Sequence, residues 1–178
     1  LFPDVYQAQN NLANLLLTAR RPAEALPHAE RALALQPGDL LAHVNLGRAL
    51  LLLDRPAEAA PHLEAALARD PGQHEVRDLL ARALLDAGRR DDAAAVFQAA
   101  YPLAANDFEL LGKMATFFHR ARLGMDAERC LLRMRELRPE HAPVYADLAS
   151  LYVDFAQFSK AAEVAREGNR WSVKKVMM

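Results

Sequence analysis

The chain has 178 residues, of which 52% are apolar and 25% are charged, and its formal net charge is −1 at pH 7. This apolar share is enough to build a core, and a net charge near zero argues against nucleic-acid binding through attraction to phosphate. The single cysteine, Cys130, excludes an internal disulfide and a cysteine metal cluster. No apolar run approaches the roughly 18 residues of a transmembrane helix, so we expect no direct membrane insertion.

Proline recurs at a constant spacing along the chain. Pro3, Pro37, Pro71 and Pro139 lie 34, 34 and 68 residues apart, and the one missing member of the series is Ala105. A constant period of this length indicates a stack of equal supersecondary units. With the proline at position 32 of each unit, we predict a remnant of a preceding repeat, five repeats and a tail: residues 1–5, 6–39, 40–73, 74–107, 108–141, 142–175 and 176–178.

Each repeat is predicted to contain a helix A at about positions 1–14 and a helix B at about positions 18–31. In the first repeat these helices cover residues 6–19 and 23–36, and the turn between them contains Pro22, which punctuates the chain. The same order follows in the other repeats, so ten helices are expected. The third repeat departs because it lacks the closing proline and has Pro102 inside helix B, which should therefore end early or kink.

Several columns of the repeat carry the same kind of residue in every unit. Position 8 is always small, and position 7 is always leucine or methionine. Position 20 is alanine in all five repeats: Ala25, Ala59, Ala93, Ala127 and Ala161. Small residues let two helix backbones approach closely, while bulky ones fill the space beside them. This pattern resembles the tetratricopeptide repeat, a helix–turn–helix unit of 34 residues. The resemblance implies an all-α, right-handed α-solenoid of five such repeats.

The tetratricopeptide resemblance also implies where a partner binds. In that family, positions 2, 5, 6, 9, 12 and 13 of helix A line a concave groove that receives a peptide. The corresponding residues predicted to bind a partner protein or peptide are Gln7, Asn10, Asn11, Asn14, Leu41, Val44, Asn45, Arg48, Leu51, Leu52, Arg82, Lys113, His119 and Arg120.

Two features of this set stand out. Asn11 and Asn45 occupy position 6 of consecutive repeats, which is similar to the asparagine ladder of the O-linked N-acetylglucosamine transferase repeats. An amide can hold a peptide backbone through both its donor and its acceptor, although these amides could instead serve a local network. An apolar strip, formed by Leu17, Leu41, Val44, Leu51, Leu52, Leu79 and Leu85, is the second feature. It indicates either a partner site or packing between neighbouring A helices. Tetratricopeptide proteins that bind chaperone C-terminal tails hold the terminal carboxylate partly with a lysine and an arginine at positions 2 and 6 of their third repeat. Glu75 and Leu79 occupy these positions here, so we do not expect this carboxylate clamp.

No catalytic constellation, cofactor motif or metal site is evident, so we expect no enzyme activity from this chain. His28 and His62 are repeat-equivalent and are interpreted as solvated helix residues, and Cys130 is interpreted as a packing residue. Arginines between positions 120 and 138 alternate with glutamates, which favours a salt-bridged, solvated face.

The sequence therefore predicts a protein-interaction scaffold, taken to be a fragment of a larger bacterial protein because both ends look cut. One alternative is a substrate-recruiting arm of a glycosyl- or sulfotransferase-type enzyme, and another is a periplasmic scaffold for polysaccharide export or envelope assembly. The compartment stays open between cytoplasm and periplasm. Uncapped solenoid ends also predict end-to-end self-association, with contacts at Val173, Val176 and Met177.

Overall fold

The structure, a computed structural model, describes the backbone of residues 3–176 and the side chains of residues 5–170. The side chains of Val173, Val176 and Met177 lie outside the described residues. Within the described range every regular element is an α-helix, as predicted for the fold class. The helices are α1 (Pro3–Thr18), α2 (Pro22–Leu35), α3 (Leu40–Leu52), α4 (Pro56–Arg69), α5 (His74–Asp86), α6 (Arg90–Gln98), α7 (Tyr101–Ala104), α8 (Phe108–Arg120), α9 (Gly124–Leu137), α10 (Ala142–Asp154) and α11 (Phe158–Val176).

The chain forms two compact units, Leu1–Phe97 and Gln98–Met178. In the first unit, α1 packs against α2 and α3 against α4, while α3 also contacts α1 and α2, and α5 contacts α3 and α4. In the second unit, α8 packs against α9 and α10 against α11, and α10 also contacts α9. Each unit is therefore a series of antiparallel helix pairs joined in chain order.

The alanine column at position 20 lies in the core of both units. Ala25, Ala59, Ala93 and Ala127 are fully buried and Ala161 is 7% exposed, which confirms their predicted burial. A larger side chain has no room at such positions because the two helices of a pair meet there. Gly47 shows how close the approach is, since a Cβ atom on it would lie 2.6 Å from Cγ of Leu63 on the paired helix.

The turn between helices A and B has the same backbone geometry in every repeat. Position 15 adopts a left-handed conformation with φ between 57° and 78°, at Arg20, Asp54, Gly88, Arg122 and Ala156. The next residue donates its N–H to a carbonyl five residues back, as from Arg21 to Leu16 at 2.9 Å. This hydrogen bond is the Schellman closure of a helix C-terminus. Only one repeat places glycine at the left-handed position, so the hydrogen bond and packing impose the turn elsewhere.

The third repeat contains a break in its second helix. Helix α6 ends at Gln98, and the short α7 begins at Tyr101. Pro102 has no N–H to donate to the carbonyl of Gln98, and its ring crowds that carbonyl. The early end predicted for this helix is confirmed. The prediction of ten helices is wrong, because the broken segment resumes as one additional turn and brings the described total to eleven.

Candidate functional site

The predicted partner-binding residues of the first three repeats lie on α1, α3 and α5 of the first unit. Nine of them have exposed or half-buried side chains, and we call this set the A-helix surface: Gln7, Asn11, Asn14, Leu41, Val44, Arg48, Leu51, Leu52 and Arg82. Val44, Arg48 and Leu51 are half-buried, and the others are exposed. The surface therefore combines amide, guanidinium and leucine side chains on three successive helices.

Two of the predicted asparagines face inward instead. Asn10 and Asn45 are each 6% exposed, so the prediction that these side chains point to solvent is wrong. Nδ2 of Asn45 donates to Oδ1 of Asn10 at 2.6 Å and to the main-chain oxygen of Asn10 at 3.3 Å. These hydrogen bonds join α3 to α1. Of the two interpretations that the sequence allowed, partner binding and a local network, the structure supports the local network for Asn45. Asn11 on α1 is exposed.

Position 9 forms a polar row across the A-helix surface. Its members are Asn14 on α1, Arg48 on α3 and Arg82 on α5. Nη1 of Arg48 donates to Oδ1 of Asn14 at 3.2 Å, which places the first two side chains in direct contact. Among the described side chains, no carboxylate forms an ion pair with Arg48 or Arg82. Both guanidinium groups can therefore pair with an anionic group on a partner.

The leucines divide into exposed and buried members. Leu41 is 58% exposed and Leu52 is 42% exposed. Leu17 is only 3% exposed and packs in a cluster with Ala25 and Ala49, so its predicted place in the exposed strip is wrong. Helical periodicity gives the direction of a side chain but not the distance to the next helix. Leu17 is buried because α3, which carries Ala49, packs against this part of α1.

The remaining predicted site residues lie on α8 in the second unit. Nζ of Lys113 is 3.6 Å from Oε1 of Glu109, and Nε2 of His119 is 2.7 Å from Oδ2 of Asp154. Arg120 is exposed. Lys113 and His119 thus each have a carboxylate partner within this unit.

Position 23 of helix B pairs with position 4 of helix A in the first two repeats. Nδ1 of His28 lies 2.7 Å from Oε1 of Gln9, and Nδ1 of His62 lies 3.3 Å from Nδ1 of His43. Burial, followed by the nearby His43, lowers the pKa of His62 below its ordinary value. These histidines are half-buried rather than solvated as predicted. The common separation of 19 residues is the sequence signal that could have revealed the pairs.

Cys130 occupies position 23 of the fourth repeat and is fully buried. Burial raises the pKa of its thiol to about 12. The side chain therefore stays protonated at neutral pH, which agrees with a packing role. Among the described residues, no group of three histidine, cysteine or carboxylate side chains could hold a metal ion.

The arginine-rich helix α9 is partly neutralised within its own unit. Nη1 of Arg133 lies 2.8 Å from Oε2 of Glu136, which agrees with the predicted salt-bridged face. Two other arginines stack on aromatic rings: Arg129 lies 3.8 Å from the Tyr101 ring centre, and Arg138 lies 4.4 Å from that of Phe108. Sequence reasoning did not find these cation–π contacts, because they join residues 28 and 30 positions apart.

Two family profiles, each described as tetratricopeptide repeat, match residues 10–74 and 50–116. The chain carries tetratricopeptide repeats. The matched segments include α2 to α5 entirely and α1 from Asn10 onward, and hence every residue of the A-helix surface except Gln7. None of the curated protein sequences matches the chain significantly. No described helix is both long enough and apolar enough to span a bilayer.

Solved tetratricopeptide structures share the fold across nearly the whole chain. One crystal structure of MamA protein aligns with a TM-score of 0.73 at 14% identity, covering 98% of this chain and 95% of that one. MamA 41-end from Desulfovibrio magneticus RS-1 aligns with a TM-score of 0.71 at 17% identity, covering 98% of both chains. YrrB, described as a TPR protein with an unusual peptide-binding site, aligns with a TM-score of 0.66 at 21% identity, covering 92% and 84%. At these identities the likeness establishes the fold alone.

Proposed function

We propose that this chain is a protein-interaction scaffold whose A-helix surface binds an extended or helical segment of a partner protein. The observation that carries the proposal is the row of Asn14, Arg48 and Arg82, in which two arginines without a described ion-pair partner stand at one repeat position beside exposed leucines. The peptide-binding description of YrrB, which has the same fold, adds support.

The chemistry of the surface favours a partner segment with apolar and acidic residues. Leu41 and Leu52 are 58% and 42% exposed, and covering them removes apolar area from water. Arg48 and Arg82 present planar guanidinium groups that pair with carboxylates in a bidentate manner. A segment that places an apolar side chain near Leu41 and carboxylates near these arginines would satisfy both demands.

The exposed amides supply contacts that do not depend on partner sequence. Asn11 and Asn14 are both exposed on α1, and an amide side chain can donate to a peptide carbonyl and accept from a peptide N–H. Asn45 does not contact the partner in this proposal, because its Nδ2 already donates to Oδ1 of Asn10. It holds α3 against α1 and so fixes the spacing between Asn14 and Arg48.

The experiment is a selection from a displayed random peptide library, followed by titration calorimetry with the selected peptides. We expect peptides enriched in apolar and acidic residues, and we expect the double variant Arg48→Glu, Arg82→Glu to lose most of their binding. A charge-reversed peptide, with lysine at its acidic positions, should bind that variant better than it binds the original chain.

The matched control is Arg31→Glu, because Arg31 is an exposed arginine on helix B of the first repeat. This variant should leave the affinity unchanged. If the selected peptides bind equally well to the double variant and show no acidic preference, the A-helix surface is not the binding site.

A further inference from the structure

Three of the turns between helices A and B contain the same ion pair. An arginine at position 16 donates to a carboxylate at position 19, and the shortest contacts measure 2.6 to 2.7 Å in the pairs Arg21–Glu24, Arg55–Glu58 and Arg89–Asp92. All six of these side chains are exposed. Each arginine therefore neutralises the acidic residue at the start of its own helix B.

The turn of the fourth repeat keeps the carboxylate but lacks the arginine. Asp126 stands at position 19, whereas position 16 is Leu123. Among the described side chains, no cation forms an ion pair with Asp126. Its two carboxylate oxygens each lie 3.3 Å from the neutral amide nitrogen Nε2 of Gln98. Because Asp126 is half-buried, its charge is less well solvated than the exposed carboxylates of the other turns.

A pocket of about 250 Å³ opens beside Asp126, between the start of α9 and the end of α10. Its walls are mainly apolar and include Leu123, Leu151 and Phe155. Met125 also lines it and is 86% exposed. A methionine side chain is flexible and adapts to the shape of what it contacts. Since α9 and α10 belong to consecutive repeats and pack against each other, both walls are supplied within the second unit.

The pocket depends on two positions that differ from the other repeats. Position 17 is Gly124, where the first two repeats have Pro22 and Pro56, and position 14 is Phe155, where the others have alanine or leucine. A Cβ atom on Gly124 would lie 2.9 Å from Cζ of Phe155, so the ring fills the space that a side chain at position 17 would take. The guanidinium carbon of Arg122 lies 5.5 Å from the centre of this ring, within the range of a cation–π contact.

The other carboxylate of the pocket is already paired. Oε1 of Glu128 accepts from the hydroxyl of Tyr152 at 2.7 Å and from Nζ of Lys160 at 3.3 Å. Asp126 is thus the carboxylate of this pocket that has no cation among the described residues. An apolar pocket beside such a carboxylate fits a ligand that has both an apolar and a cationic group.

We propose that this pocket binds a segment of a partner protein in which an apolar side chain adjoins an arginine or lysine. The apolar side chain packs between Leu123, Leu151 and Phe155, and the cation pairs with Asp126 as arginine does in three other turns. This preference is opposite in charge to that of the A-helix surface. The two sites therefore take different segments, and each can be tested without the other.

The test begins with a displayed random peptide library selected on the double variant Arg48→Ala, Arg82→Ala, which removes the acidic preference proposed for the A-helix surface. We expect selected peptides in which an apolar residue adjoins arginine or lysine. Titration calorimetry with the original chain then measures their affinity. Replacing the basic residue of a peptide by glutamine should weaken binding by about fivefold, which corresponds to an exposed ion pair at the upper end of its usual range.

Two variants of the chain test the role of Asp126. Leu123→Arg restores the ion pair of the other turns, so it should occupy Asp126 from within the chain and weaken binding by at least about tenfold. It should fold normally by circular dichroism, because arginine stands at this position in three repeats. Asp126→Asn should weaken binding as much as the glutamine peptide does. Combining that variant with that peptide should add little, since both remove the same contact.

Glu140→Gln is the matched control, because Glu140 is an exposed carboxylate of the same unit outside the pocket, and it should leave the affinity unchanged. The proposal is overturned if the selection yields no peptides that combine apolar and basic residues. It is equally overturned if the selected peptides bind Leu123→Arg and Asp126→Asn as tightly as the original chain, or if Glu140→Gln weakens binding as much as Asp126→Asn.

Discussion

Nδ2 of Asn45 lies 2.6 Å from Oδ1 of Asn10, and both side chains are buried between α1 and α3. The two residues are 35 positions apart, one more than the repeat length, so the hydrogen bond joins neighbouring repeats. A buried amide that loses its partner keeps its desolvation cost without the compensating bond.

Asn45→Ala should therefore lower the free energy of unfolding by about 1–3 kcal/mol, because it leaves the Asn10 amide without its partner. Urea denaturation measures this value. Asn11→Ala is the matched control, since Asn11 is the exposed residue at the same repeat position, and it should change stability by less than about 0.5 kcal/mol. Equal effects of the two substitutions would show that the buried hydrogen bond does not stabilise the stack.

Ala93→Leu should destabilise the fold by about 1–3 kcal/mol, because Ala93 is fully buried and additional carbon atoms cannot be accommodated without displacing neighbours. Thermal and urea unfolding both report the change. Ala95→Leu places the same side chain on an exposed position of the same helix and should be nearly neutral. Tolerance of leucine at position 93 would mean that the alanine column is not a close-packing requirement.

Ala156→Gly should stabilise the chain by about 1 kcal/mol. Ala156 has φ 57°, a left-handed conformation that costs a residue with a Cβ atom but not glycine. Ala162→Gly, on the exposed side of α11, is the control and should destabilise by about 1 kcal/mol because it replaces the best helix former. The account fails here if glycine at position 156 lowers the melting temperature as it does at position 162.

His43→Gln should reduce the loss of stability at acid pH. The pKa of His62 is lowered by burial and by His43, so the fold favours the neutral imidazole. That contribution is present above the unfolded pKa of 6.5 and is lost as the pH falls through the folded pKa. Glutamine at position 43 removes the neighbouring imidazole that lowers the pKa of His62, and it reproduces the Gln9–His28 pair.

NMR titration should show a higher pKa for His62 in His43→Gln, and urea denaturation between about pH 7 and 5 should show a smaller fall in stability. The reverse substitution, Gln9→His, should introduce an acid-sensitive pair in the first repeat. An unchanged acid slope in both variants would contradict the assigned coupling.

Much of the fold could be predicted from the sequence, because the residues that determine it recur from repeat to repeat. The alanine column and the proline period specify where helices meet and where they end. Pro102 likewise predicts a broken helix from its missing N–H. The left-handed turns are harder to predict, since Arg20 and Ala156 are not typical of that conformation and are held there by the Schellman hydrogen bonds.

The candidate site could be predicted only in part. Helical periodicity identified the exposed positions of Leu41 and Arg82, but it could not separate Asn11 from Asn45 at the same repeat position. Asn45 is covered because α1 supplies Asn10 as its hydrogen-bond partner, whereas Asn11 is exposed on α1 itself. Such differences depend on neighbouring repeats, and the pattern of one repeat does not contain them.

The most direct test of the scaffold proposal is an NMR map of the binding site of a library-selected peptide on the isotope-labelled chain. We expect the largest amide shift changes on α1, α3 and α5, centred on Asn14, Leu41, Arg48 and Arg82, and we expect them to vanish in the Arg48→Glu, Arg82→Glu variant. Shift changes confined to the B helices or to the second unit, and unaffected by that variant, would contradict the assignment of the A-helix surface as the partner site.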